Sequence, residues 1–303
     1  MLSLASGKYF RATDAILDII INKTSEGAAI ALPVFTCTSS IVNKLKACNR
    51  KIVWMDIDEY SIQITLKEVM RVIYEVDAVI LQSYWGQSIR NLDEISKLTR
   101  DNNKILIIDY AHRLEIDEIL NHKETDASKG NCFRVYSFSK ELPYFLGGIC
   151  IPAVVQVKVS YSLELALHAI GAGISMWASR RKHELIEKMI REKILKKGKQ
   201  QNSSNQQKMA RPMSIVQTLF LKWHIDNIKK NRILRAELLK RINVNISDKH
   251  IWAGVHDISD ENGSLKKLKQ VQMWPEFQKY EPEQFTDSLC SLIKNRKLYL
   301  YEL

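Results

Sequence analysis

No run of apolar residues in this chain approaches the roughly 18 that a membrane-crossing helix requires, so no span is expected. The opening residues, MLSLASGKYFRATDA, lack the charged start, apolar stretch and small-residue cleavage site of a secretory signal. The five cysteines (Cys37, Cys48, Cys132, Cys150, Cys290) are odd in number, scattered and free of CxxC spacing. That argues against a disulfide framework or a zinc site and points to a reducing cytoplasm. No GxGxxG follows the first strand-like segment, which counts against a dinucleotide fold. No internal repeat stands out, and no recognised nucleic-acid-binding motif is present.

What is present is ordinary in bulk. The 303 residues are 46% hydrophobic and 26% charged, enough for a sizeable core. The formal net charge of +11 suits a partner of negative charge: nucleic acid, an acidic membrane surface or phosphorylated ligands. Part of that charge lies in KKGKQQNSSNQQKMAR, residues 196–211, a polar, basic stretch that reads as a mobile loop or linker. It divides the chain into a large α/β domain (1–195), the linker (196–211) and a smaller C-terminal piece (212–303).

Ahead of the linker, short apolar runs alternate with amphipathic helical patterns. Strands are expected at 28–33, 52–58, 78–82 and from Ile105, with helices at 39–47, 65–74 and 91–100 between them. Such β-α-β repetition implies a mostly parallel sheet covered on both faces. Before the first of these strands, Thr13 to Ile20 reads as a helix that Thr13 can cap. The acids Asp56 and Asp58, after the second strand, read as turn and cap residues. A strand over 149–159 and a long helix over 163–197 follow. Pro212-Met213-Ser214 then opens a helix running to Arg241, and a small α+β piece closes the chain, with a helix over 285–293 and a last strand from Arg296.

One stretch carries chemistry. ILIIDYAH (105–112) is an apolar strand ending in an acid, Asp109, followed by Ala111 and His112. FRVYSFSK (133–140) is a second strand, ending at Lys140, with a glycine pair beginning seven residues later at Gly147. Both charged groups fall at strand C-termini, where open α/β sheets bind ligands. The pair matches the needs of pyridoxal phosphate, which takes a lysine on its aldehyde and a carboxylate on its ring nitrogen.

DYAH, SFSK and GG in this order resemble the DegT/DnrJ/EryC1/StrS family of pyridoxal-phosphate-dependent sugar aminotransferases. The resemblance implies a fold-type I large domain with a small C-terminal α+β domain. It makes Lys140 the catalytic lysine, Asp109 the partner of the ring nitrogen and His112 a contact to the ring oxygen. Ala111 would pack on the ring face and Ser137 bind the phosphate, although SFSK is two residues shorter than the motif in many members. Family members hold the phosphate at a helix N-terminus with Ser-Gly-Thr-x-Ala-Leu, which Arg11-Ala12-Thr13-Asp14-Ala15-Ile16 replaces here. That assigns Ala12 and Thr13 to the phosphate and leaves Ser6-Gly7-Lys8 as a second, less well-spaced alignment. Val34-Phe35-Thr36-Cys37 resembles the segment that stacks a side chain on the ring, with Phe35 and Cys37 both candidates. The activity implied is transfer of an amino group, from glutamate, to a keto-sugar nucleotide in surface polysaccharide or glycoconjugate synthesis. A cytoplasmic homodimer with shared active sites goes with it. The alternative is a catalytically idle homologue serving as a partner or scaffold in a glycan-assembly pathway.

Overall fold

The computed structural model describes residues 7–36, 41–58, 61–84, 87–113, 119, 131–139, 147–154, 159–180, 210–225, 253–255, 269–272 and 299–302. Seven short strands form one sheet: β1 (Gly7–Tyr9), β2 (Ala29–Pro33), β3 (Lys51–Met55), β4 (Ala78–Gln82), β5 (Ile105–Tyr110), β6 (Cys132–Ser137) and β7 (Gly148–Ile151). Their spatial order is β1-β7-β6-β5-β4-β2-β3. The pairs β3/β2, β2/β4, β4/β5 and β5/β6 are parallel, whereas β7 runs antiparallel to both β6 and β1. The strand order reverses between β2 and β4, so the connections leaving them diverge. The mostly parallel, helix-covered sheet expected from the β-α-β pattern is therefore what the chain forms.

Alternation along the strands sorts the core into two layers, because successive side chains point to opposite faces. On β5, Ile105 and Ile107 join a cluster with Ala12, Ile16, Ile19 and Ile20 of helix α1 (Ala12–Lys23). Leu106, Ile108 and Tyr110 join the opposite cluster, with Val69 and Val72 of α3 (Leu66–Val72) and Ile95 of α4 (Leu92–Asp101). Helix α2 (Asn43–Ala47) adds Leu45 to the α1 side. Each such side chain, fully buried, contributes about 1.5–3 kcal/mol. The even and odd positions of one strand thus address two different helical layers.

Local signals explain several boundaries. Thr65 caps α3 by accepting from the Glu68 amide at 3.3 Å. The expected strand over 149–159 ends instead at Ile151, since Pro152 has no amide to extend the ladder. The expected Thr13 cap is also corrected. Arg11 is the N-cap, in extended conformation and without a side-chain cap, and Thr13 lies one residue inside the helix. The fit of α1 against β7 selects this start.

Helix α5 (Leu163–Arg180) occupies the first part of the expected 163–197 helix. Residues 181–209, most of the expected linker, lie outside the described residues. When the chain resumes it is docked on β1. The Phe10 amide donates to the Arg211 carbonyl at 2.9 Å and the Met213 amide to the Lys8 carbonyl at 3.0 Å. Ser214 then starts helix α6, residues 215–225. Its hydroxyl accepts from the Gln217 amide while the Gln217 side chain accepts from the Ser214 amide, a reciprocal cap. Near the C-terminus, β8 (Ala253–Val255), β9 (Lys269–Gln272) and β10 (Tyr299–Glu302) form a three-stranded antiparallel sheet in the order β8-β10-β9. The expected helix over 285–293 lies outside the described residues.

Candidate functional site

Asp109 is the fifth residue of β5, and the strand parity that sends Ile105 and Ile107 to α1 sends Asp109 the same way. By the same rule Ser137, two residues beyond Val135 on β6, faces α1. Both stand at the C-terminal ends of central strands. Asp109 is held at both main-chain and side-chain level. Its carbonyl accepts from the Ser83 amide at 3.0 Å, and its Oδ1 accepts from the Ala111 amide at 2.9 Å. The second contact closes a short turn that sets Ala111 and His112, both half-buried, just beyond the strand.

Helix α1 comes to this same edge. Gly148, paired with Ser137 on one side and Tyr9 on the other, lies directly under its first turn. A Cβ at Gly148 would sit 2.4 Å from the Ala12 nitrogen and 2.6 Å from the Arg11 carbonyl carbon. Only glycine lets helix and strand approach this closely. Among the described residues no acceptor meets the amides of Ala12 and Thr13. Free amides at a helix start favour an anion. Ser137, 6% exposed, shares a hydrogen bond of 2.9 Å with Ser139 Oγ.

Charge gathers around the same helix start. Asp14, 1% exposed, pairs with Lys44 Nζ at 2.7 Å and Arg211 at 3.5 Å. Lys44 also reaches Thr13 Oγ1 at 3.4 Å. Arg211 and Arg11 both lie against the Phe10 ring, 4.4 Å and 5.9 Å from its centroid. Burial, and then the neighbouring Arg211, hold Arg11 below its ordinary pKa, with Asp14 opposing.

The structure thus brings Asp109, Ala111, His112, Ser137, Ala12 and Thr13 to one edge of the sheet. It does not bring Phe35 there. That ring is fully buried in the α3–α4 layer, 5.2 Å from Tyr84, and its carbonyl accepts from the Tyr84 hydroxyl at 2.5 Å. A ring so placed is committed to the core and cannot also stack on a ligand across the sheet. Cys37 and Lys140 lie outside the described residues. Sequence reasoning passed over Lys44 and Arg211, which approach α1 from positions 30 and 197 residues away from Asp14. No local pattern announces such partners.

The arrangement is a carboxylate and hydroxyls beneath a positively charged helix start, which suits a small ligand carrying both a protonated ring nitrogen and a phosphate. Among the described residues no group of three or more His, Cys, Asp or Glu is set to hold a metal, and no helix is long and apolar enough to cross a membrane.

The model of the DegT/DnrJ/EryC1/StrS aminotransferase family matches residues 11–154, which span α1 to the end of β7. No curated protein matches the chain. Among solved structures, a histidinol-phosphate aminotransferase from Clostridium acetobutylicum is 19% identical with a TM-score of 0.38, over 48% of this chain and 44% of that one. DesI, solved with its TDP-sugar product, is 21% identical with a TM-score of 0.39, over 50% and 38%. A C-S lyase from Staphylococcus hominis, in its pyridoxal-phosphate-bound form, is 10% identical with a TM-score of 0.41, over 50% and 43%. The chain thus spans less than half the length of each of these structures.

Proposed function

We propose that this chain, whose residues 11–154 match the model of the DegT/DnrJ/EryC1/StrS aminotransferase family, is a member of that family and a pyridoxal-phosphate-dependent aminotransferase. The observation that carries the reading is the convergence of Asp109, Ser137 and the start of α1 on one edge of the sheet. The residues fit the group. Asp109, fixed by the Ala111 amide, presents a carboxylate to a ring nitrogen. Ser137 and the amides of Ala12 and Thr13 offer donors to a phosphate.

When bound, pyridoxal phosphate supplies an electron sink for the carbanion formed by removing a proton from the amino donor. The protein's part is to place and poise it. Asp109 keeps the ring nitrogen protonated by proximity of opposite charge. Ala111 and His112 sit where the face and oxygen of the ring would be bounded. Lys140, three residues beyond Ser137 at the end of β6, is the group assigned to hold the cofactor and carry the proton. A lysine in this role acts once desolvation or a neighbouring cation lowers its pKa. The finer reading makes glutamate the donor and a keto-sugar nucleotide the acceptor, in a cytoplasmic homodimer whose two copies share their sites.

The test is an absorbance spectrum of the purified protein with pyridoxal phosphate, before and after adding glutamate. A visible band that shifts with glutamate, and is lost in Lys140→Ala, is the expected result. A colourless protein that never takes up the cofactor would sink the aminotransferase reading in favour of an idle homologue.

A further inference from the structure

The start of α1 carries more positive charge than its own carboxylate can balance. Arg11, Lys44 and Arg211 come from three separate parts of the chain and converge on one buried acid, Asp14. Lys44 takes that acid at 2.7 Å and Arg211 holds it only at 3.5 Å. The Arg11 side chain makes no ion pair or hydrogen bond among the described residues; it lies over the Phe10 ring, and only its carbonyl bonds, to the amides of Asp14 and Ala15. Among the described residues, one carboxylate against three cations leaves an excess of about two charges. His168, 5.4 Å from Phe10 across the rings, stays below its ordinary pKa through burial, and then through Arg211 and Arg11, with only Glu164 opposing.

Two like-charged guanidiniums on one aromatic ring are costly without a counter-charge, because each raises the cost of the other's charge. Arg11 is open to solvent, yet its neighbours crowd it enough for lost hydration to lower its pKa. Arg11 is the N-cap residue, next in the chain to Ala12 and Thr13, whose amides meet no acceptor among the described residues. A guanidinium offers several N–H donors in a planar fork that matches phosphate oxygens.

We propose that Arg11 and Arg211, supported by Lys44, form an anion site at the start of α1 that takes a phosphate group by charge excess. Arg11 stands where the family motif has serine and Ala12 where it has glycine, so guanidinium charge does here what a small, hydroxyl-lined cradle would otherwise do. Asp14 is the resident counter-ion that keeps the cluster folded while the site is empty of ligand, and Arg211, the more distant of its two partners, is the cation free to turn to the ligand. The phosphate can belong to the cofactor or to a nucleotide-linked substrate. The inference rests on the aminotransferase reading only for the first of these sources.

The test is binding, measured by calorimetry on the full chain, with inorganic phosphate, pyridoxal phosphate, unphosphorylated pyridoxal and UDP as probes. Arg11→Gln, at a solvent-facing position, is expected to keep the wild-type unfolding midpoint and to weaken inorganic phosphate on the order of tenfold or more. Arg11→Lys is expected to recover part of the loss. If the cofactor is the source, pyridoxal phosphate weakens in parallel while pyridoxal is unchanged. If a nucleotide is the source, UDP weakens and pyridoxal phosphate does not. Phosphate binding that depends on Arg11 in a protein that never takes pyridoxal phosphate would keep this site and remove the aminotransferase reading. Folded Arg11→Gln with wild-type affinity for all four probes would overturn the proposal and leave that reading standing.

Discussion

Two strands of this protein carry acids at their C-terminal ends, and the structure sets them in different surroundings. β3 leads into Asp56 and Asp58, and β5 contains Asp109. At both ends a carboxylate oxygen accepts from a nearby amide, as Asp109 Oδ1 does from Ala111 at 2.9 Å. Asp56 Oδ1 accepts from the Ile57 amide at 2.8 Å, and Asp58 Oδ1 accepts from both the amide and hydroxyl of Ser61 at 2.7 Å. Among the described residues β3 is the last strand at its edge of the sheet. β5 lies in the middle, between β4 and β6, with the start of α1 arriving over the neighbouring strand ends. What distinguishes these acids is therefore the place of their strands in the sheet and the helix above it. The sequence around each is equally strand-like.

The comparison is broken most directly by neutralising both acids. Asp109→Asn removes a charge opposite a ring nitrogen; at about 4 Å and an effective dielectric of 20 that is worth roughly 4 kcal/mol. Turnover measured with saturating pyridoxal phosphate and glutamate is expected to fall about 10³-fold, with little change in the unfolding midpoint. Asp58→Ala should do the reverse, costing about 1 kcal/mol of stability through two lost hydrogen bonds and leaving turnover within twofold. Equal effects on turnover would mean that sheet position does not sort these acids.

A glycine pair sharpens the same contrast. Gly148 lies at the site edge, and any Cβ there meets backbone atoms of Arg11 and Ala12 at 2.4–2.6 Å. Because backbone cannot step aside as a flexible side chain can, Gly148→Ala is expected to cost about 3 kcal/mol and to weaken phosphate binding by displacing α1. Gly27, just ahead of the β2 end of the sheet, has φ +80° and open space around it. Gly27→Ala should cost about 1 kcal/mol, from backbone strain alone. Urea unfolding of both variants measures the difference, and a Gly148 cost no larger than that of Gly27 would show that α1 is not wedged against β7.

Much of this arrangement was legible in the chain because it is local. β4 needs only a run of apolar residues bounded by turns, and it falls at Ala78–Gln82 as the pattern indicates. The sheet-edge positions of Asp109 and Ser137 were legible because each lies near the C-terminal end of an apolar strand. Asp56 and Asp58 were legible as turn acids because each accepts from an amide within three residues of it. Phe35 misled for the same reason in reverse. Its neighbours in sequence match a ring-stacking segment, but its burial is decided by Tyr84, 49 residues on. Thr13 looked like a cap because threonine favours that place, yet the helix start is set by Gly148, far along the chain. Arg211 could not be assigned at all. Its contact with Asp14 spans 197 residues and exists only because 211–213 pairs with the edge of β1.

The smallest expected effect separates the two regions by pH. His168, packed on Phe10, is lowered by burial and then by Arg211 and Arg11, whereas Glu164 opposes. Between its folded value and its ordinary 6.5 the unfolded chain binds more protons, so stability rises with pH there. That contribution is complete above about pH 6.5, declines as the solution is acidified, and is flat again below the folded value. At the far edge Glu68 is governed differently. Burial raises it, but the Arg71 side chain and the Asp56 amide outweigh burial and leave it lowered from 4.5. Its contribution is present above 4.5 and is lost as pH falls through its folded value. Urea unfolding from pH 7.5 to 5 should therefore show a steeper acid loss in wild type than in His168→Gln, by less than about 1.4 kcal/mol per pH unit for one proton. Glu68→Gln should leave that window unchanged and alter only the acid side of it. Parallel curves for wild type and His168→Gln would mean that the cations around α1 do not reach His168, and that the charge at the site edge is screened from the helix packed beside it.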